Sequence, residues 1–448
     1  MELYPAQKEG AEILSKQRTH ILGDGIASGK TRTVLAAWRY LLEVSDLLLI
    51  VGPASVVYLS WPNEIKRVMP NTDVTLFRMT RAGRMAAYDE ISRSSKPQIL
   101  LMSYEIMVKD IEILRVLLRV KRGVIAADEA HAFKNYRSKR SKAWRSLIPV
   151  SVAAWTITGT LGEQPEHIYG ADQALGLNSF GSRKDFLNRY CVCNRIDVVT
   201  PTKKFTLQVP IGFKATAADI IKKWMGKNVL RRPPDRTKLP ILLPPQKRII
   251  ELSEAKRKEY KKLKENPDGD SFIQNFFNLR KLIAESKLDD LVENLLPQLL
   301  EDRTTLIFTP FLTQAELIRN RIVRELGIEC ATFTGNTSHA DRKSFLEGLG
   351  SRYKVMVMTE AGKEGVDGFQ RASALVFYDY PWSASDKEQI IGRIHRIGQD
   401  DENVLVIFLH AEKSVDDKLE KLLEDKAFNL DLLRGMAEEQ WRKLYREI

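Results

Sequence analysis

At 448 residues, 44% apolar and 29% charged, the chain exceeds one ordinary domain of about 150 residues, and two or three are expected. No apolar run reaches the ~18 residues that cross a bilayer, the start MELYPAQKEG has no basic region ahead of an apolar core, and Cys191, Cys193 and Cys330 are too few for a disulfide framework. These features argue against membrane, secreted and disulfide-built classes, so an intracellular location is expected; the excess of 70 Lys and Arg over 58 Asp and Glu would attract phosphate backbones or acidic surfaces, or belong to solvated faces.

Along the chain, short apolar runs recur between helical stretches: HILG (20–23), LLLIVG (47–52), ILLMS (99–103), GVIAA (123–127) and AAWTIT (153–158). Runs without polar alternation predict strands buried on both faces, as in a parallel sheet. Residues 231–247, RRPPDRTKLPILLPPQK, are crowded with proline, and residues 256–270 with lysine. Proline at that density breaks helices and sheets, so a connector flanked by helices is predicted there. The strand rhythm returns in TLIFT (305–309), KVMVMT (354–359), ALVFYD (374–379) and VLVIFL (404–409). An α/β class with two lobes follows.

Residues 23–31 read GDGIASGKT, directly after the first strand and ahead of a segment with helical spacing. A glycine-rich turn at a helix amino terminus aims backbone N–H groups at phosphate. Gly25, Ser28 and Gly29 belong to that turn; Lys30 can neutralise the β- and γ-phosphates and Thr31 can ligate magnesium. Asp24 stands where the stricter pattern has glycine, and the plain alternative is a helix capped by Ser28. Behind GVIAA comes DEAH, Asp128 to His131. Asp128 suits the ligation of hydrated Mg2+ and Glu129 the removal of a proton from attacking water, although acidic pairs after strands also serve as helix caps. Thr158-Gly159-Thr160 ends the next strand, either as a relay of γ-phosphate state or as a simple turn.

Near the far end, QIIGRIHRIGQ (389–399) carries Arg393 and Arg396, three apart and so on one predicted helical face. Presented from the second lobe they would act as arginine fingers; the alternative is a solvated basic helix.

Together these segments resemble superfamily-two helicases, and more closely the Swi/Snf chromatin-remodeller-like ATPases, from residue 3 to about 430. The resemblance rests on LYPAQKEGAEIL, where Gln7 matches the adenine-reading glutamine, on VGPASVVYLSWPNEI (51–65) with Trp61, and on SYE (103–105) and DEAHAFKN (128–135). FTPFLTQAELI, FTGNTSHADR, AGKEGVD (361–367), FYDYPW and the arginine segment follow in the family's order. GEQPEHIY and FGSRKDFLNRYC look similar to the branch of the HepA-related annealing helicases. Departures from the family pattern are Gly25-Ile26, Ala27, Leu161, Lys363-Glu364 and Asp367, the last a carboxylate expected to repel backbone phosphate.

The resemblance implies two RecA-like P-loop lobes with a helical insertion and linker between them: lobe 1 at 1–180, the insertion and Pro/Lys-rich linker at 181–285, lobe 2 at 286–430 and a helical tail at 431–448. It implies ATP and Mg2+ as cofactors, Gly365 near the nucleotide, and translocation along duplex DNA without required strand separation. Lys134, Arg137, Lys139, Arg140 and Lys142 are candidate backbone contacts, with Lys256 to Lys264 behind them. A monomer is expected. With no bromodomain, chromodomain, zinc finger or nuclease stretch recognised, targeting is expected from a protein partner or from the core itself. The alternatives are a strand-separating DNA or RNA helicase and a DNA-binding scaffold whose ATPase is silent.

Overall fold

The computed structural model describes residues 3–25, 28–159, 161, 165–199, 204–232, 239–265, 272–362 and 367–424. The chain divides into two compact units, residues 1–235 and 236–448, each built on a parallel sheet.

In the first unit the strands are β1 (Thr19–Leu22), β2 (Leu47–Gly52), β3 (Asp73–Leu76), β4 (Gln98–Ser103), β5 (Val124–Ala127), β6 (Ala154–Ile157) and, after a two-stranded hairpin of β7 (Cys191–Val199) and β8 (Lys204–Phe213), the short β9 (Val229–Leu230). The sheet order is β3-β4-β2-β5-β6-β1-β9, parallel throughout. The predicted strands from the apolar runs therefore appear where the lack of alternation puts them. In β2 Leu48 and Ile50 enter one buried cluster, while Leu47, Leu49 and Val51 enter another on the opposite face. Successive side chains leave a strand on opposite sides, and only a strand covered on both faces can be apolar at every position. Each such leucine or isoleucine contributes about 1.5–3 kcal/mol by leaving water.

Three helices on the first of these faces position the site: α1 (Pro5–Lys16), α2 (Lys30–Arg39) and α3 (Trp61–Val68). Proline at the first turn of α1 costs no hydrogen bond, because that N–H would have no helical partner. Trp38 from α2 and Trp61 and Ile65 from α3 pack with Leu48 and Ile50 of the sheet.

The second unit holds β10 (Ile241–Leu242), β11 (Gln246–Ile250), β12 (Thr305–Phe308), β13 (Cys330–Phe333), β14 (Val355–Met358), β15 (Ala374–Phe377) and β16 (Asn403–Ala411). The order is β16-β15-β12-β14-β13, again parallel, with β10 and β11 following one another along the outer edge of β16.

The stretch 181–285, expected as one helical insertion and linker, is divided between the units. Its first part folds onto unit 1: Phe186, Leu187, Ile221, Trp224 and Val229 share a cluster with Ile21 and Tyr169, and the Trp224 indole donates to Asp172 at 2.9 Å. It is also not wholly helical, since β7 and β8 pair antiparallel within it. Its second part supplies β10, β11 and the helix Phe272–Asp289 to unit 2. Aromatic burial at Phe186 and Trp224 outweighs the proline and lysine content as a guide to where the chain stays folded. No helix among the described residues is long and apolar enough to cross a membrane. The expected tail at 431–448 lies outside the described residues.

Candidate active site

Register in the first sheet aligns its carboxyl ends. Leu22 pairs with Ile157, and Ala127 with both Val51 and Thr156. The segments that follow β1, β2, β5 and β6 therefore leave one edge of the sheet side by side, where α/β proteins bind ligands. This brings the glycine-rich turn, Asp128-Glu129 and Thr158 together.

Gly29 caps α2 with φ +74° and ψ 36°, a left-handed conformation that glycine adopts without steric cost. Ser28 does not cap the helix: its hydroxyl is buried and has no hydrogen-bond partner among the described residues. That orphaned donor, next to a helix amino terminus, fits a phosphate oxygen. Lys30 Nζ donates to the carbonyls of Asp24 and Gly25, at 3.0 and 2.9 Å. Thr31 follows in the first turn of the same helix. The Gln7 amide, 3% exposed, donates to the Ser28 carbonyl at 3.3 Å and accepts from the Tyr4 N–H at 3.1 Å, so α1 braces the turn through this side chain. Gly25 lies at the turn's start; Ile26, Ala27, Thr160, Lys363, Glu364 and Gly365 lie outside the described residues.

Asp128 is held on every side. Its N–H donates to Val51 of β2, the Tyr104 hydroxyl donates to its carbonyl, Oδ1 accepts the Glu129 N–H at 2.9 Å and Oδ2 accepts the Trp61 indole N–H at 2.9 Å. Burial, and then the charge of Glu129, push its carboxyl up to about 6. A buried carboxylate with such neighbours is a natural ligand for a hydrated divalent cation, whose charge would reverse that cost. Glu129 sits at φ +51°, ψ 52°, a conformation costing a side chain about 1–2 kcal/mol and one that clusters at functional sites. It makes no capping bond to the following turn, so the helix-cap alternative for the acidic pair fails there. His131 Nδ1 lies 3.3 Å from a Glu129 oxygen.

Asp24, which departs from the stricter glycine pattern, has a structural role. It is 2% exposed and receives the Arg232 backbone N–H at 2.8 Å, Arg232 Nε at 3.2 Å and a further bond from the guanidinium. Next to it the Gly23 N–H donates to Leu230 of β9. Sequence reasoning missed Arg232, and it named Trp61 and the SYE segment with Tyr104 only as marks of the resemblance, without a role in this site. A carboxylate in a glycine-rich turn, and a tryptophan in an otherwise apolar helix face, both demand partners when buried, but spacing does not say which.

In the second unit the expected shared helical face of the two arginines is corrected. The helix Ala384–Ile394 ends between them, with His395 at φ −85°, ψ 78° and its ring bonded to the Pro240 carbonyl at 3.1 Å. Gln399 then satisfies the freed Ile394 carbonyl at 3.1 Å. Arg393 is buried in the last turn, 7% exposed. Arg396 lies beyond the helix and pairs with Asp367 at 2.7 Å, so Asp367 engages a protein cation of its own unit. Among the candidate surface cations, Lys134, Arg137, Lys139 and Lys142 are exposed, while Arg140 meets Glu105 at 3.3 Å.

The sequence matches the SNF2-related domain over residues 6–306 and the helicase conserved C-terminal domain over residues 286–398. An uncharacterised ATP-dependent helicase of Mycoplasma genitalium is 23% identical over 98% of this chain and 44% of its own length. The SWI/SNF-related regulator of chromatin subfamily A-like protein 1 of Xenopus tropicalis is 24% identical over 95% and 44%, and the human DNA annealing helicase and endonuclease ZRANB3 23% over 95% and 40%. The chain thus spans less than half the length of these relatives. A SWI2/SNF2 ATPase core of Sulfolobus solfataricus, solved in complex with double-stranded DNA, is 20% identical, with 99% of this chain and 97% of that chain covered and a TM-score of 0.46.

Proposed function

The chain belongs to the SNF2-related family, and from that premise and the geometry at Lys30 and Asp128 we propose that it is an ATP-driven motor on duplex DNA, hydrolysing ATP to ADP and phosphate. The observation that carries the proposal is the gathering of Gln7, Ser28, Lys30, Thr31, Asp128 and Glu129 at one sheet edge, with a buried serine hydroxyl that lacks a partner among the described residues.

In this reading Gln7 reads adenine, Gly25, Ser28, Gly29 and Lys30 hold the phosphates, and Thr31 with Asp128 holds Mg2+. When bound there, Mg2+ would supply neutralisation of phosphate charge. Glu129 takes the proton of the attacking water. Arg393 and Arg396 of the second unit stabilise the charge of the transition state, and Gly365 contributes near the nucleotide. Exposed Lys134, Arg137, Lys139 and Lys142 contact backbone phosphate, so affinity should fall with salt and show little sequence preference. Action as a monomer, and a protein partner for targeting, belong to the same proposal.

The test is ATP turnover measured with duplex DNA, single-stranded DNA and RNA, for the chain and for Glu129→Gln. Duplex-stimulated turnover, lost in Glu129→Gln while ATP binding persists, is the expected result. Stimulation by RNA alone would overturn the choice of polymer. Near-normal hydrolysis by Glu129→Gln would overturn the assignment of the base. A third strand displaced from a triplex, with a forked duplex left intact, distinguishes translocation from strand separation.

A further inference from the structure

Trp61 stands first in α3, 1% exposed, and its single N–H is spent on Asp128 Oδ2. An indole is a donor only, so it can orient a carboxylate without exchanging a proton with it. The Asp128 main chain is already fixed at both ends, by Val51 and Tyr104. What remains free is rotation of the carboxylate, and Trp61 with the Glu129 N–H takes one site on each oxygen. A carboxylate oxygen offers two lone pairs, so each keeps one for a hydrated cation. The helix that carries Trp61 is itself anchored one turn later, where Glu64 accepts from Arg32 of α2. Residues three apart share a helix face, so one turn of α3 reaches from the cation ligand to the phosphate helix.

We infer that Trp61 is a positioning residue, which aims the Asp128 carboxylate at the Mg2+ of the bound nucleotide. The inference rests on the proposed function and adds a residue to that same site. Side chains that orient metal ligands change metal affinity by about 10–100-fold when removed.

The experiment measures affinity for a fluorescent ADP analogue with Mg2+ and with EDTA, for the chain, Trp61→Phe, Asp128→Asn and the double variant. The gain in affinity that Mg2+ confers should fall about tenfold in Trp61→Phe, with affinity in EDTA within about twofold of the parent. In the Asp128→Asn background the tryptophan change should add nothing, the non-additivity expected of residues acting through one another. Should Trp61→Phe fail to fold, benzothienylalanine at position 61 replaces only the N–H with sulfur and reads the same quantity. Equal losses with and without Mg2+, no loss at all, or a full further loss in the Asp128→Asn background would each overturn the inference and leave the site intact. No Mg2+-dependent gain in the unaltered chain would overturn the site reading, and this inference with it.

Discussion

Arg232 closes on Asp24 across 208 residues of chain, through its backbone N–H and its guanidinium together. The side chains of this pair are 12% and 3% exposed, so water cannot replace either partner. The carbonyl of Asp24 is also one of the two that receive Lys30. A residue at the end of unit 1 thereby holds the glycine-rich turn in shape.

Removing one partner strands a buried charge, at a cost of about 3–5 kcal/mol. Asp24→Asn should lower the unfolding midpoint of unit 1 by roughly 10 °C and weaken nucleotide binding, as calorimetry and ADP titration would record. Pairing an apolar residue at 24 with Met at 232 should recover much of the midpoint but not the affinity. Gly10→Ala should act in the same direction, because its Cβ would lie 2.3 Å from the Arg232 guanidinium.

Gly29→Ala carries two penalties. Its φ of +74° costs a side chain about 1–2 kcal/mol, and a Cβ there would lie 2.2 Å from the Gln7 amide nitrogen. The displaced glutamine should blunt any preference for ATP over GTP. Equal loss of both nucleotides, measured by competition, would detach Gln7 from base selection.

Asp367→Asn releases Arg396. A pair 41% and 22% exposed is worth about 1 kcal/mol at most, or up to about fivefold in rate. DNA-stimulated turnover should rise within that limit at low salt and converge with the parent at high salt, where the pair is screened. In the Arg396→Ala background the substitution should change nothing; a rise there would assign the effect to Asp367 itself.

His167 faces His131 and Lys134 across a small cavity also lined by Thr158 and Leu161. Burial first, then those two neighbours, push its imidazole down to about 4 from 6.5. Below pH 6.5 the unfolded chain takes up a proton that the folded chain refuses until about pH 4. Stability is therefore full above pH 6.5 and is lost as pH falls through that window, by up to about 3 kcal/mol. His167→Gln should flatten this part of the stability profile; an unchanged slope would place the loss elsewhere.

The strands were legible because their signals are local. Unbroken apolar runs such as LLLIVG specify strands covered on both faces, and GKT and DEAH are each read within a few residues just after such a strand. The Arg393 and Arg396 pair shows where local spacing stops being sufficient: three residues apart means one face only while the helix lasts, and the helix ends at Ile394. The stretch 181–285 is divided between the two units for a related reason. Composition marks proline and lysine, but Phe186 and Trp224 remain with whichever sheet can bury them.

By itself the sequence determined the strands of the two sheets and the place of the glycine-rich turn and the acidic pair behind them, since each depends on neighbours within a few residues. Only the tertiary structure decided that Arg232 answers Asp24, that Trp61 aims Asp128 and that Asp367 restrains Arg396. Such partnerships follow from strand order and register, which bring distant segments within about 3 Å of one another, and buried polar groups then bind whichever partner that packing presents.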